Sequence, residues 1–201
     1  MNEDKIYLFD LDGTLFDPFL FIDEMLRRFS TQFSIPENML LDLKKEHRSE
    51  LEKGSDFDPG QFLIFLSQKI NVPVDQLLSI WNEKTAYEKV VYPDVFPVLQ
   101  ELQKRNSKMG IFSEGFSVYQ MQKLEMSGLL PFFDPGMIHI FRRKLLKENI
   151  DRLSSNCLVI DNRREVVIEL KQANITSIWI NRESDEKLSD IRTIQNLQEL
   201  L

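Results

Sequence analysis

The sequence predicts an α/β protein: a doubly wound parallel sheet with an all-helical segment inserted after its first strand. Three observations carry this. Short apolar runs rich in β-branched and aromatic residues recur without polar alternation, as strands covered on both faces do. Segments with helical spacing separate the later runs. The stretch from 17 to about 90 breaks this rhythm with helical patterns alone.

The strand candidates are, in order, 5–10 (KIYLFD), 108–113 (KMGIFS), 137–141 (MIHIF), 157–161 (CLVID) and 176–180 (TSIWI). Val95, Val98, Leu99 and Leu102 have the spacing of one helix face, with Asp94 placed to cap its start. Residues 116–126 and 163–173 fit two further crossovers, and 188–201 (LSDIRTIQNLQELL) reads as a last amphipathic helix. Strand then helix, repeated, gives a parallel sheet whose ligands bind beyond the carboxyl ends of its strands. Asp10, Ser113 and Asp161 each stand at such an end.

Within the insertion, Ile22, Met25, Leu26, Phe29 and Phe33 form one helical stripe, and further helices are predicted near 37–53, 60–70 and 74–89. The segment is too long for a strand-to-helix connection and too patterned for a loop. The expected division is a core of 1–16 and 91–201 and a helical domain of 17–90. The two would join at hinges near Asp17–Pro18 and Val91–Pro93.

The 201 residues leave room for a proper core. A net charge of −7, from 32 acidic and 25 basic side chains, argues against binding to nucleic-acid backbones. The single cysteine, Cys157, lies in an apolar run and reads as a buried structural thiol. The start MNEDKIYLFD lacks the basic and apolar regions of a signal peptide, and no run approaches the roughly 20 apolar residues of a membrane span. The expectation is a soluble cytoplasmic protein, monomer or homodimer, with no membrane or nucleic-acid partner. His47 and His139 lack companions at zinc-ligand spacing, and the glycines form neither a P-loop nor a dinucleotide fingerprint.

The stretch DLDGTLFD, 10–17, resembles the first motif of the haloacid dehalogenase-like superfamily, mostly Mg²⁺-dependent phosphatases. Its companions follow in order: Ser113 in GIFSEG, Lys144 in FRRKLL, and Asp161 in VIDNRREV. The resemblance covers about 1–16 and 91–185, and the insertion falls where helical caps occur in that family. It implies a Rossmann-like core, a magnesium cofactor and a small phosphorylated metabolite as substrate. Phosphomutases and dehalogenases share the superfamily, and a non-catalytic binding or regulatory relative is a further alternative.

The residues also make chemical sense by themselves. Phosphoryl transfer needs an in-line nucleophile, a proton donor for the leaving oxygen and positive charge over the transferring group. Asp10 is the candidate nucleophile, passing through an aspartyl-phosphate, and Asp12 the general acid and then base. Gly13 permits a tight turn beside the phosphate, Thr14 and Ser113 offer donors, and Lys144 bridges nucleophile and phosphate as a point charge. Two carboxylates about 4 Å apart repel by roughly 4 kcal/mol at an effective dielectric near 20. A hard divalent cation relieves this, with Asp10, the backbone carbonyl of Asp12 and Asp161 as ligands.

Asp161 and Glu165 have the D-x-x-x-E spacing of the family's last motif, which implies that Glu165, with Asn162, backs the metal ligands. Three departures from the family pattern stand out. Asn162 replaces a common second aspartate, Glu114 follows Ser113 on the phosphate-binding side where a small or amide residue is usual, and no proline follows Lys144. The Glu114 carboxylate is expected to face away from the phosphate.

Overall fold

The computed structural model describes residues 5–51 and 56–201. In chain order, strand β1 (Ile6–Phe9) precedes helices α1 (Pro18–Phe33), α2 (Glu37–Glu50), α3 (Pro59–Ile70), α4 (Val74–Trp81) and α5 (Lys84–Lys89). Then come α6 (Val95–Lys104), β2 (Lys108–Glu114), α7 (Ser117–Met126), β3 (Ile138–Phe141) and α8 (Lys147–Ile150). The chain continues with β4 (Cys157–Asp161), α9 (Arg164–Gln172), β5 (Thr176–Ile180) and β6 (Arg192–Ile194). It divides into two compact units, Met1–Asp17 with Val91–Leu201, and Pro18–Val90.

In the first unit the described strands form one parallel sheet, ordered β3-β2-β1-β4-β5-β6. The order reverses at β1, the position where doubly wound sheets open a crevice for ligands. Every residue of β4 is buried, so the missing alternation in the sequence reflects cover on both faces. Ile6, Leu8, Phe112, Val159, Val166 and Leu170 share one apolar cluster, each such side chain contributing about 1.5–3 kcal/mol by burial. Cys157 lies buried in the same cluster, and His139 stacks on Phe141 within β3.

Two expectations fail here. The closing segment is not an amphipathic helix. Thr193 and Ile194 instead supply β-branched side chains for the short strand β6, and Asn196 caps a 3-10 turn, Leu197–Leu200. Asp94 does not cap α6 with its side chain. Its carboxylate accepts hydrogen bonds from the Leu197 N–H at 2.6 Å and Arg182 Nη2 at 3.1 Å, so a long-range charge partner outcompetes the local one.

In the second unit α1 buries Phe21, Met25, Leu26 and Phe29, while Ile22 and Phe33 remain only partly covered. The Phe21 ring lies 4.4 Å from Tyr87 and 5.2 Å from Trp81. Asp58 caps α3 through the Gly60 and Gln61 N–H groups, with Pro59 as its first residue. The segment 74–89 forms two helices, broken where Glu83 turns extended. The expected end of the second helix, at 53, lies outside the described residues. His47 packs between the Phe62 and Phe65 rings, a structural role.

Glu24 is a buried carboxylate of this unit. Its oxygens accept hydrogen bonds from Arg27, Arg28 and Lys89 at 2.7–3.1 Å. Burial pushes its carboxyl up, but those hydrogen bonds outweigh it and hold the group at about 2. A depressed carboxyl contributes stability that is present above its unfolded value, 4.5, and lost as pH falls towards 2. Arg27 and Lys89 are about half exposed, which screens the gain to about 1–2 kcal/mol. Glu24→Gln is therefore expected to lower the unfolding free energy by that amount at pH 7. The gap to the native protein should close between pH 4.5 and 2, read by urea denaturation across that range.

Candidate active site

The site begins where β1 stops. The Asp10 N–H donates to the Ile160 carbonyl at 2.9 Å, extending the ladder with β4 by one residue and fixing where the Asp10 side chain emerges. The next turn is wound around one oxygen: the Leu11 carbonyl accepts from the N–H groups of Thr14, Leu15 and Phe16. Gly13 closes it with φ of +80°. The left-handed conformation favours glycine, and a Cβ there would lie 2.2 Å from the Asn162 amide nitrogen, so a side chain would also displace Asn162.

Lys144 unites the strand ends. Its side chain is fully buried, and its Nζ donates to Asp10 Oδ1 at 2.6 Å, to the Phe112 carbonyl at 3.2 Å and to Asp161 Oδ2. Arg142 and Arg143, adjacent in sequence, are exposed. The loop that aims Lys144 is held from two sides. Its N–H donates to Glu114 Oε2 at 2.8 Å, and the buried Asn149 amide donates to the Arg143 carbonyl at 2.8 Å.

The electrostatics follow from this crowding. Burial pushes Asp10 up, Lys144 pulls it down, and the neighbouring charges of Asp161 and Asp12 push it up again, to about 7. Burial opposes the charge on Lys144, but Asp10 and Asp161 outweigh it and hold the ammonium above its ordinary value. One lysine does not fully neutralise the pocket.

Around this centre the structure gathers most of the residues that the sequence singles out. Ser113 is fully buried, and its Oγ accepts from Gln120 Nε2 at 3.1 Å. Thr14 Oγ1 is buried without a hydrogen-bond partner, and so is Asn162 Oδ1. The Glu114 carboxylate is engaged by the Lys144 N–H and by Arg163 Nη1 at 3.3 Å. Glu165 is not brought in: it is exposed on the first turn of α9.

Three residues that sequence reasoning passed over join the site. Lys123 Nζ donates to both Asp12 oxygens, at 2.7 and 2.8 Å, and Gln120 Nε2 donates to Asp12 Oδ2 at 2.8 Å. Their signal was polar residues three apart on the buried face of α7. Arg163 answers the unusual Glu114. Burial works against its charge, but Asp161, Asp10 and Glu114 outweigh that and raise it.

The donor set can be weighed against a hard cation. Among the described residues no cluster of three or more His, Cys, Asp or Glu side chains forms a metal cage. Mg²⁺ does not need one, being held commonly by one or two carboxylates with waters and substrate oxygens. The under-neutralised Asp10 and the orphaned Asn162 oxygen are what such an ion would satisfy, so the residues fit it.

A parallel sheet whose central strand ends gather carboxylates around a buried lysine defines the class: an α/β enzyme of the doubly wound type. Family comparison makes it specific. The pattern of the haloacid dehalogenase-like hydrolases matches residues 7–144, and the chain belongs to that family. It is 32% identical over 145 residues to the glyceraldehyde 3-phosphate phosphatase of Methanopyrus kandleri, an alignment covering 67% of this chain and 61% of that protein. Against the Methanocaldococcus jannaschii protein of the same name, 28% identical over 138 residues, the coverage is 65% and 60%. The chain thus spans about three fifths of those relatives. Similarity to the pyrimidine 5'-nucleotidase YjjG of Escherichia coli is 24% but runs over 100% of this chain and 97% of that one.

Solved structures share the fold. A protein described as a haloacid dehalogenase-like hydrolase from Burkholderia xenovorans superposes with a TM-score of 0.70 at 20% identity, covering 98% of this chain and 95% of that one. The HAD-hydrolase YfnB of Bacillus subtilis, described as bound to magnesium, gives 0.64 at 19% identity over 99% and 97%. No helix among the described residues is long and apolar enough to cross a membrane.

Proposed function

We propose that this chain is a Mg²⁺-dependent phosphatase that hydrolyses a small soluble phosphomonoester through an aspartyl-phosphate on Asp10. The observation that carries the reading is the convergence of Asp10 and Asp161 on the buried Lys144 ammonium. An Asp10 oxygen attacks phosphorus as the bond to the leaving oxygen breaks, and Asp12 passes its proton to that oxygen. The Asp12 carboxylate then takes a proton from the water that attacks the aspartyl-phosphate, releasing phosphate and restoring both residues. Lys144 holds Asp10 in line, and Ser113 and Thr14 offer hydroxyl donors to the phosphate.

Asp10, Asp161 and the Asp12 carbonyl would hold Mg²⁺, backed by Asn162, and the ion would supply charge neutralisation and polarisation of the phosphoryl oxygens. The helical unit Pro18–Val90, inserted directly after the Asp12 turn, is assigned the role of a substrate-selecting cap. The names of the similar proteins, phosphatases of a triose phosphate and a nucleotidase, support a small phosphorylated substrate. Asp12 weighs against dehalogenation, because a departing halide needs no proton. The test is hydrolysis of 4-nitrophenyl phosphate: turnover is expected with millimolar Mg²⁺ and should vanish in EDTA, and turnover that persists in EDTA refutes the metal.

A further inference from the structure

We propose that Gln120 and Lys123 form a clamp that positions the Asp12 carboxylate for proton transfer to the leaving oxygen. This rests on the phosphatase reading above. Asp12 sits on a turn, its side chain 30% exposed, where a carboxylate has rotational freedom. Catalysis needs one orientation, and a displacement of about 1 Å can cost on the order of 100-fold in rate. The clamp residues, by contrast, are buried on α7, the helix that follows β2 and packs on β3.

Each part of the clamp has a geometric cost that packing alone does not justify. The Lys123 ammonium lies buried between the Tyr119 ring, at 4.3 Å, and the Phe16 ring, at 5.5 Å. An apolar side chain would fill that space without desolvating a charge. Gln120 turns its amide nitrogen to Asp12 Oδ2, to Ser113 Oγ and to the Glu114 carbonyl, while its own Oε1 is buried without a partner. Rotating the amide would satisfy neither carboxylate nor carbonyl and would set oxygen against oxygen. The orientation is therefore dictated by Asp12 and its neighbours.

The clamp is also asymmetric. Oδ2 of Asp12 accepts from both Gln120 and Lys123, whereas Oδ1 accepts from Lys123. Oδ1, with one donor against two, keeps the freer lone pair and is the oxygen left open towards a leaving group. By bonding Ser113 as well, Gln120 fixes the acid relative to the hydroxyl on the next strand.

A leaving-group comparison tests this. In Mg²⁺, kcat/KM is measured for 4-nitrophenyl phosphate, whose phenol leaves readily, and for phenyl phosphate, whose phenol depends more on protonation. The ratio of the two does not depend on how much of a variant is folded. Lys123→Met and Gln120→Leu are each expected to raise that ratio by about tenfold through loss of proton donation, and Lys123→Arg, which restores N–H donors, should return it towards the native value. An unchanged ratio in both Lys123→Met and Gln120→Leu overturns the clamp and leaves the phosphatase reading intact. A native enzyme that hydrolyses neither ester overturns both.

Discussion

Asp10→Asn is expected to reduce Mg²⁺-dependent phosphate-ester hydrolysis by about 10⁴-fold or more, the scale on which loss of a nucleophile acts. Asparagine keeps the shape of the side chain and its contact with the Lys144 ammonium through the amide oxygen, but it cannot form the aspartyl-phosphate. The same substitution makes an opposite prediction for stability. Asp10 is an acid whose folded value is raised from 3.8 to about 7, first by burial. A raised acid favours the folded state below its unfolded value and opposes it increasingly as pH rises through the folded one. In EDTA at pH 8 the native protein therefore carries an ionised Asp10 at a cost that asparagine removes. The variant should melt at the native temperature or above it while being catalytically dead. A dead variant that melts well below the native protein would instead mean that Asp10 is a structural ion-pair partner.

How far the sequence alone reached depends on the range of the interaction involved. Asp10, Ser113 and Asp161 were legible because each ends an apolar run, and parallel strands bring such ends to one edge. Gly13 was legible because a tight turn after a strand needs it. Lys144 could not be separated from Arg142 and Arg143 by local pattern, since all three precede a helix start. What separates them is Glu114 and Asn149, which hold the loop so that the third basic residue turns inward. Glu114 itself read as an anomaly beside a phosphate until Arg163, 49 residues later, supplied its counter-charge. The short strand β6 and the long-range partners of Asp94 were hidden for a similar reason: local helical spacing competes with a sheet edge and with Arg182, which no window of sequence contains.

Lys144→Met is expected to produce the largest loss of stability of any single change in the site. The methionine fills the lysine's volume, so little cavity energy is involved, and the effect is electrostatic. Removing one partner of a buried ion cluster leaves the others uncompensated, at a cost of about 3–5 kcal/mol. Here the residue removed is fully buried and the stranded groups are two carboxylates, Asp10 and Asp161, themselves hardly exposed. The variant should unfold at lower urea concentration in EDTA at pH 8, and part of the loss should be recovered in millimolar Mg²⁺ or as the pH falls and a carboxylate takes up a proton. The double variant Lys144→Met/Asp10→Asn separates charge from packing. With a single buried carboxylate left it should be more stable than Lys144→Met alone, so that the two changes are strongly non-additive. If the double variant is as unstable as the single one, the lysine stem rather than its charge supports the site, and the electrostatic account of the cluster is wrong.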